Sequence, residues 1–246
     1  MVKAYGIDIS KYQISFNPPA ETPLPIDFVI QRLSYGLMRD EKIVELYTPV
    51  KKIPLRGAYH YFSSGSPWKD QADFFEMLVS ERDFHFVALD FESAYNQKSR
   101  DFSENAGKFL AQMRQSFPDK RALLYTNPSI YKNWMMPYSS WMTAYPLWIS
   151  NPRIPSGPDR VPGMKGMDRV DYEIYQYEFI NLKGRKYGVE SWSLDMDVSR
   201  RSYDDFRDWL GASDTPLPTP PPDIDTWDLK FALAKAVDDW EESLYD

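Results

Sequence analysis

Short runs in which apolar residues alternate with polar or small ones recur along most of the chain, and several are followed by stretches whose apolar positions return every three or four residues. The first period belongs to strands and the second to helices, and their succession is the pattern of βα units. Candidate strands are Ala4–Ser10, Phe28–Leu33, Arg56–Phe62, Phe86–Phe91, Arg121–Thr126, Pro146–Ser150, Glu173–Tyr177 and Trp192–Asp197. Trp68–Arg82 and Phe102–Phe117 are the clearest helices; in the second, Phe102, Ala106, Phe109, Leu110, Met113 and Phe117 share one face. Weaker patterns predict helices over Asp40–Lys51 and Ser129–Met136. Between Asn151 and Asp171 Pro and Gly are frequent and no period holds, so loops are expected to join the later strands. The predicted fold class is α/β: an incomplete TIM-like (β/α) barrel of eight strands, with fewer helices in its second half.

The pattern changes near residue 213. We read residues 1–212 as the barrel, 213–225 as a linker and 226–246 as a C-terminal amphipathic helix. The stretch Asp214–Asp225 holds five prolines and predicts an extended, semi-rigid segment. After it, Trp227, Phe231, Ala234, Val237, Trp240 and Leu244 form an apolar stripe opposite an acidic face. That stripe requires a partner. The barrel's own outer surface is the simplest, and oligomerisation is the other role open to it.

Charge sharpens this division. The net charge is −7, but the residues from Asp214 onward contain nine acidic groups and two lysines, which leaves the preceding body neutral. A neutral body has no electrostatic footprint for nucleic acid. Cysteine is absent and the only histidines are His60 and His85, which excludes disulfides and thiolate metal sites and argues against a histidine-rich zinc site. No cofactor is expected. The first residues, Met-Val-Lys-Ala-Tyr-Gly, lack the apolar core of a signal peptide, and no apolar run reaches the roughly 20 residues that cross a bilayer. No membrane insertion is expected.

Candidate chemistry lies in acids at strand ends. In Val87-Ala88-Leu89-Asp90-Phe91-Glu92, alternation puts Asp90 and Glu92 on one face, their Cα atoms roughly 6.5 Å apart. Two carboxyls facing one barrel interior oppose each other's ionisation, so one of them is expected to hold a proton near neutral pH. That is the state a glycosidase requires of its general acid. Taken alone, Asp-x-Glu is better explained by a loop cap or an ion pair with Arg32. However, Asp8 ends the first strand, Asp195 and Asp197 end the last, and in a closed barrel first and last strands are neighbours. Four acids, Asp8, Asp90, Glu92 and Asp195, then converge on one mouth, where barrel enzymes keep their active sites. Aromatic residues are 16% of the chain, and several stand at strand ends. Tyr61, Tyr125 and Trp148 are candidates to pack against pyranose faces. Gln176 is a candidate polar contact, and Arg32 joins them as a candidate substrate-binding residue.

Several pieces of the chain, in order, are similar to the family 25 glycoside hydrolases, the Chalaropsis-type lysozymes. They are Gly6-Ile7-Asp8-Ile9-Ser10-Lys11-Tyr12-Gln13, Gly57-Ala58-Tyr59-His60-Tyr61, Leu89-Asp90-Phe91-Glu92, Tyr125-Thr126-Asn127, Leu147-Trp148-Ile149-Ser150, Tyr175-Gln176-Tyr177 and Leu194-Asp195-Met196-Asp197-Val198. The resemblance implies an incomplete β/α barrel and N-acetylmuramidase activity on the β-1,4 bond between N-acetylmuramic acid and N-acetylglucosamine of peptidoglycan. Glu92 corresponds to the general acid, and Asp90, Asp8 and Asp195 to the other active-site carboxylates, with retention of configuration and participation of the substrate acetamido group. The sequence departs from the pattern at Asp195-Met196-Asp197, where the family often has Asp-Leu-Asn; at Tyr175, where Trp is usual; and at Gln31-Arg32-Leu33-Ser34. Register favours Asp195 over Asp197. Competing readings are a wall-binding barrel without turnover, a chitinase-like hydrolase, whose longer acidic signature is not met before Asp90, and a metal-dependent phosphodiesterase. The absence of a signal fits a phage endolysin acting on the host wall, and equally a secreted enzyme whose signal has been removed.

Overall fold

Every strand of the barrel carries one row of side chains inward and one outward, and the two rows build separate cores. The computed structural model describes residues 2–18, 26–92, 100–131, 140–151, 158, 172–179, 184–191 and 193–212. In chain order the strands are β1 (Lys3–Ile9), β2 (Phe28–Tyr35), the two-residue β3 (Met38–Arg39), β4 (Leu55–Tyr61), β5 (Phe86–Asp90), β6 (Arg121–Thr126), β7 (Leu147–Ser150), β8 (Tyr172–Glu178) and β9 (Asp195–Ser202). The sheet runs β1-β9-β8-β7-β6-β5-β4-β2 and closes through β1 and β2, giving an eight-stranded barrel; β3 only hairpins onto β2. The helices are α1 (Ile43–Val50), α2 (Trp68–Ser80), α3 (Arg100–Ser116), the short α4 (Pro128–Ile130) and α5 (Tyr203–Leu210). Among the described residues the long helices fall in the first half, as the pattern predicted. No helix among the described residues is long and apolar enough to cross a membrane. The expected linker and C-terminal helix, and most of the helix expected over Ser129–Met136, lie outside the described residues.

The outward row, including Ile7, Val29, Leu33, Val87 and Leu89, packs on Leu46 of α1, Phe75 and Leu78 of α2, and Phe109 and Leu110 of α3. His60 belongs to this layer. It is fully buried, stacks on Phe109 at 4.9 Å between ring centroids, and bonds Ser34 Oγ (2.8 Å) and Gln71 Oε1 (3.1 Å). Burial lowers its pKa to about 4, so it is a neutral packing residue.

The inward row is filled below the mouth by Ala4, Phe28, Leu55, Phe86, Leu123 and Ile174, against which Phe206 and Leu210 of α5 pack. Phe206 meets Phe28 edge-on at 5.3 Å and Phe86 at 6.3 Å. Two glycines make room for these rings. A Cβ on Gly6 would lie 2.3 Å from the Phe28 ring, and one on Gly57 2.3 Å from the Phe86 ring.

The last strand departs from expectation. It was placed at Trp192–Asp197, with its acids at the end, but it begins at Asp195 and runs to Ser202, antiparallel to both neighbours. The connection from β8 contains the 3-10 turn Gly184–Tyr187 and a bridge from Val189 to Phe16 among its described residues, and the chain re-enters the sheet at the end where β8 left it. Asp195 and Asp197 therefore start their strand, yet reach the same mouth. Polar Arg200 and Arg201 do not end it, because both pair with buried Glu173 of β8, at 2.7 and 2.8 Å. After them Ser202 caps α5 by accepting from the Asp205 N–H (3.2 Å), and Gly211, at φ 71°, ends it.

Candidate active site

Strand parity directs one set of side chains to the mouth: Asp8 from β1, Arg32 from β2, Tyr61 from β4, Asp90 from β5 with Glu92 just beyond it, Tyr125 from β6, Gln176 from β8, and Asp195 and Asp197 from β9. Register links them around the barrel. Asp8 stands opposite Asp195, Tyr61 opposite Asp90, Asp90 opposite Tyr125, and Tyr125 opposite Trp148. The four acids expected to converge do share one mouth, with Asp197 one inward position deeper on β9, opposite Gly6.

A short hydrogen-bonded chain orders the centre. Tyr125 Oη donates to Gln176 Oε1 at 2.9 Å, and Gln176 Nε2 donates to Asp8 Oδ2 at 2.7 Å. Trp148 Nε1 donates to Asp197 Oδ1 at 2.8 Å. Among buried polar atoms, Asp90 Oδ1 and Asp197 Oδ2 have no hydrogen-bond partner among the described residues.

All five carboxyls hold their protons more firmly than usual, and burial is the first cause in each. Asp8 lies well above the ordinary carboxylate range, with the charges of Asp195 and Asp197 adding to burial and the Gln176 hydrogen bond opposing it. Asp90 is raised well above it too, by burial and by Glu92, with Arg32 opposing. Asp195 is pushed to about 6 by burial and Glu92. Asp197 is pushed to about 8 by burial and then by Asp195, against the Trp148 hydrogen bond. Glu92 is the exposed member of the set, and Asp195 is half-buried. The protein packed around its carboxyl still raises its pKa, and a hydrogen bond from Tyr125 draws it back. The arrangement thus pairs an accessible acid that keeps a proton with a buried carboxyl two residues away that has an unused oxygen.

The expected substrate contacts divide. Tyr61 is half-buried at the rim, its ring 4.8 Å from that of Tyr35. Tyr125 and Gln176 are buried but bonded into the acid ring. Trp148, expected to face the cleft, is 1% exposed and lies beneath the acids, packed on Tyr125 (4.4 Å) and Tyr59 (5.8 Å). Strand parity turned it inward, and the stagger of the barrel put it below the rim. Arg32, expected as a substrate contact, is 8% exposed, its Nε on Asp40 Oδ2 (2.8 Å) and its guanidinium under the Tyr12 ring (5.2 Å). It acts on the site as a positive charge near Asp90.

Two further residues bear on the site. Tyr59 is buried beside Trp148, and the charges of Asp8, Asp90 and Asp195 raise its pKa well above its usual value after burial. Its position two before Tyr61 on one strand face was the available signal. Asp40, buried, fixes Arg32 and accepts from the Lys11 N–H (3.1 Å), a contact with no local sequence signal.

The sequence profile described as Glycosyl hydrolases family 25 matches residues 7–179, which takes in Asp8, Asp90, Glu92 and Gln176 and stops short of β9. No curated protein matches the chain. Solved structures that superpose on it include a family GH25 lysozyme from Aspergillus fumigatus (21% identity, 86% of this chain and 100% of that one, TM-score 0.66). A bacterial lysozyme from Streptomyces coelicolor does so at 20% identity, over 82% and 94% of the two chains, with TM-score 0.65. The catalytic domain of an endolysin from bacteriophage P40 of Listeria monocytogenes does so at 22% identity, over 86% and 98%, with TM-score 0.64. At these identities the likeness is one of fold.

Proposed function

The chain belongs to family 25 of the glycosyl hydrolases, and from that premise we propose that it is a peptidoglycan muramidase, cutting the β-1,4 bond from N-acetylmuramic acid to N-acetylglucosamine. The observation that carries the reading is the convergence of Asp8, Asp90, Glu92 and Asp195 on one mouth, with Glu92 exposed and its pKa raised. A general acid must be reachable by the leaving oxygen and still protonated at working pH.

In this reading Glu92 gives its proton to the departing O4 of N-acetylglucosamine. The acetamido carbonyl oxygen of the muramic residue attacks C1 from the opposite face, the C1–O4 bond breaks, and an oxazolinium ion forms. Asp90 accepts the acetamido N–H through its unpartnered oxygen. Water then adds to C1, giving its proton to Glu92, and the configuration is retained. Two facts favour this route over direct attack by Asp90. Asp90 and Glu92 leave one strand end on the same face, so they need not straddle the bond, and buried Asp90 has an unpartnered oxygen suited to an N–H. Tyr61 packs on a sugar face at the rim, and Tyr125 and Gln176 hold the acids. Trp148 and Arg32 act from beneath and beside the cleft.

The setting proposed is the bacterial wall, attacked by a phage endolysin; a secreted lysozyme fits the same chemistry. The test is Glu92→Gln, which should abolish release of reducing muramic acid ends from purified walls while Tm stays within a few degrees of the parent. Release at the parental rate overturns the assignment. Sedimentation with walls and no new reducing ends from the parent protein itself would favour a binding barrel.

A further inference from the structure

We propose that Asp197 is a positioning residue that shares one proton with Asp8, so that the negative charge of the pair rests in the barrel interior and Asp8 stands neutral at the mouth. The inference rests on the reading of that mouth as the hydrolytic site, and it concerns a strand the family profile does not reach.

The argument begins with an acceptor that lacks a donor. Asp197 is 0% exposed. Trp148 Nε1, which only donates, occupies Oδ1 at 2.8 Å, while Oδ2 has no hydrogen-bond partner among the described residues. A carboxylate oxygen left bare at that depth is costly, and the penalty is relieved when a neighbouring acid supplies a proton. That neighbour is Asp8, within hydrogen-bonding reach of Asp197. The residue directly opposite Asp197 is Gly6, which has no side chain to intervene. Asp8 Oδ2 already accepts from Gln176 Nε2 at 2.7 Å, so the Asp8–Asp197 contact has to be bridged by a proton on one of the two acids.

With that proton in place every bond runs one way. Tyr125 Oη donates to Gln176, Gln176 Nε2 to Asp8, and the Asp8 hydroxyl to Asp197, with the Trp148 N–H holding Asp197 from below. The titratable and charged groups around the pair are Asp195 on β9, Asp90 and Glu92 at the end of β5, Tyr59 on β4, Tyr125 on β6, Arg32 on β2, and Tyr177 on the outer face of β8. Most are anionic or neutral. They favour retention of the shared proton, and burial and the neighbouring acids raise the proton affinity of the pair.

Asp197→Asn tests this. The amide keeps the shape and can still accept from Trp148, but toward Asp8 it can only donate. Asp8 then becomes the anion, and the pair's charge of −1 moves up to the mouth. Two readouts follow. Acids that bind protons more tightly folded than unfolded make stability fall as pH rises, until the folded-state proton is lost. Parental Tm should therefore decline as pH rises above about 4, and in Asp197→Asn, which has one proton-retaining acid fewer, the total decline should be smaller, the remainder belonging to Asp90, Asp195 and Glu92. An anion brought nearer Glu92 holds its proton more firmly, so the alkaline limb of kcat/KM on cell walls should move up by about half a unit. Asp8→Asn tests the pair from its other side and should reduce the Tm decline in the same way.

A Tm decline as large as the parent's in both variants overturns the shared proton, as does an alkaline limb that stays or moves down in Asp197→Asn. Unfolding needs no substrate. A parent that hydrolyses no wall, with the decline reduced in both variants, would sink the reading of the mouth and leave the proton pair standing.

Discussion

Tyr125→Phe removes a single hydroxyl from the centre of the acid ring, and its consequences follow from the bonds that hydroxyl makes. Tyr125 bonds Glu92, where it favours the anion, and it donates to Gln176 Oε1 at 2.9 Å. A hydrogen bond to a charged group contributes about 1.5–3 kcal/mol. Here one proton is divided between two acceptors and Glu92 is accessible, so roughly half of that reaches Glu92. At about 1.4 kcal/mol per pH unit, its pKa rises by about 0.5–1 unit. The working form of a general acid is the protonated one, which is lost on the alkaline side. The alkaline limb of kcat against pH should move up by the same amount, with kcat at the optimum lowered by less than about tenfold. Gln176 Oε1, buried, loses a donor at about 1–3 kcal/mol, and Tm should fall by several degrees. Reducing-end release from cell walls between pH 4 and 9, with unfolding scans on the same samples, measures both. An alkaline limb that moves down, or one that stays while Tm falls as expected, refutes the account of Glu92.

Gly57→Ala forces a methyl to within 2.3 Å of the Phe86 ring and should destabilise by about 1–3 kcal/mol or more, with partial recovery in Gly57→Ala/Phe86→Leu; a Tm equal to the parent's contradicts the packing described. Phe206→Ala empties the place between Phe28 and Phe86 and should cost about 3–5 kcal/mol in chemical denaturation, and a loss below about 1 kcal/mol would show that α5 does not close the barrel floor.

Strand parity was legible from the residues alone because it depends only on alternation. Asp90 with Glu92, and Asp8 with Ile7 and Ile9 turned away, could be assigned to the inner row before any coordinate. Depth was not legible. Whether an inward residue stands at the rim or below it depends on the stagger of closed strands, and so Trp148 was expected beside a sugar when it lies under Tyr125. Direction was hidden as well, since nothing in Asp195-Met196-Asp197-Val198 distinguishes a strand's end from its start. The direction is set by a connection with no crossover helix among its described residues. Arg32 is held by Asp40, eight positions away through the β2–β3 hairpin, and no helical or strand period joins them. α5 could have been found: Ser202 and Asp205 form a cap, Phe206 and Leu210 are one turn apart, and Gly211 follows.

The central claim is that the acid ring cleaves glycan strands at the muramic acid side. Mass spectrometry of fragments from defined peptidoglycan digested with the parent protein tests it most directly. The account predicts disaccharide peptides ending in reducible N-acetylmuramic acid, absent when Glu92→Gln is used. Fragments ending in reducible N-acetylglucosamine, or an uncut glycan, would contradict it.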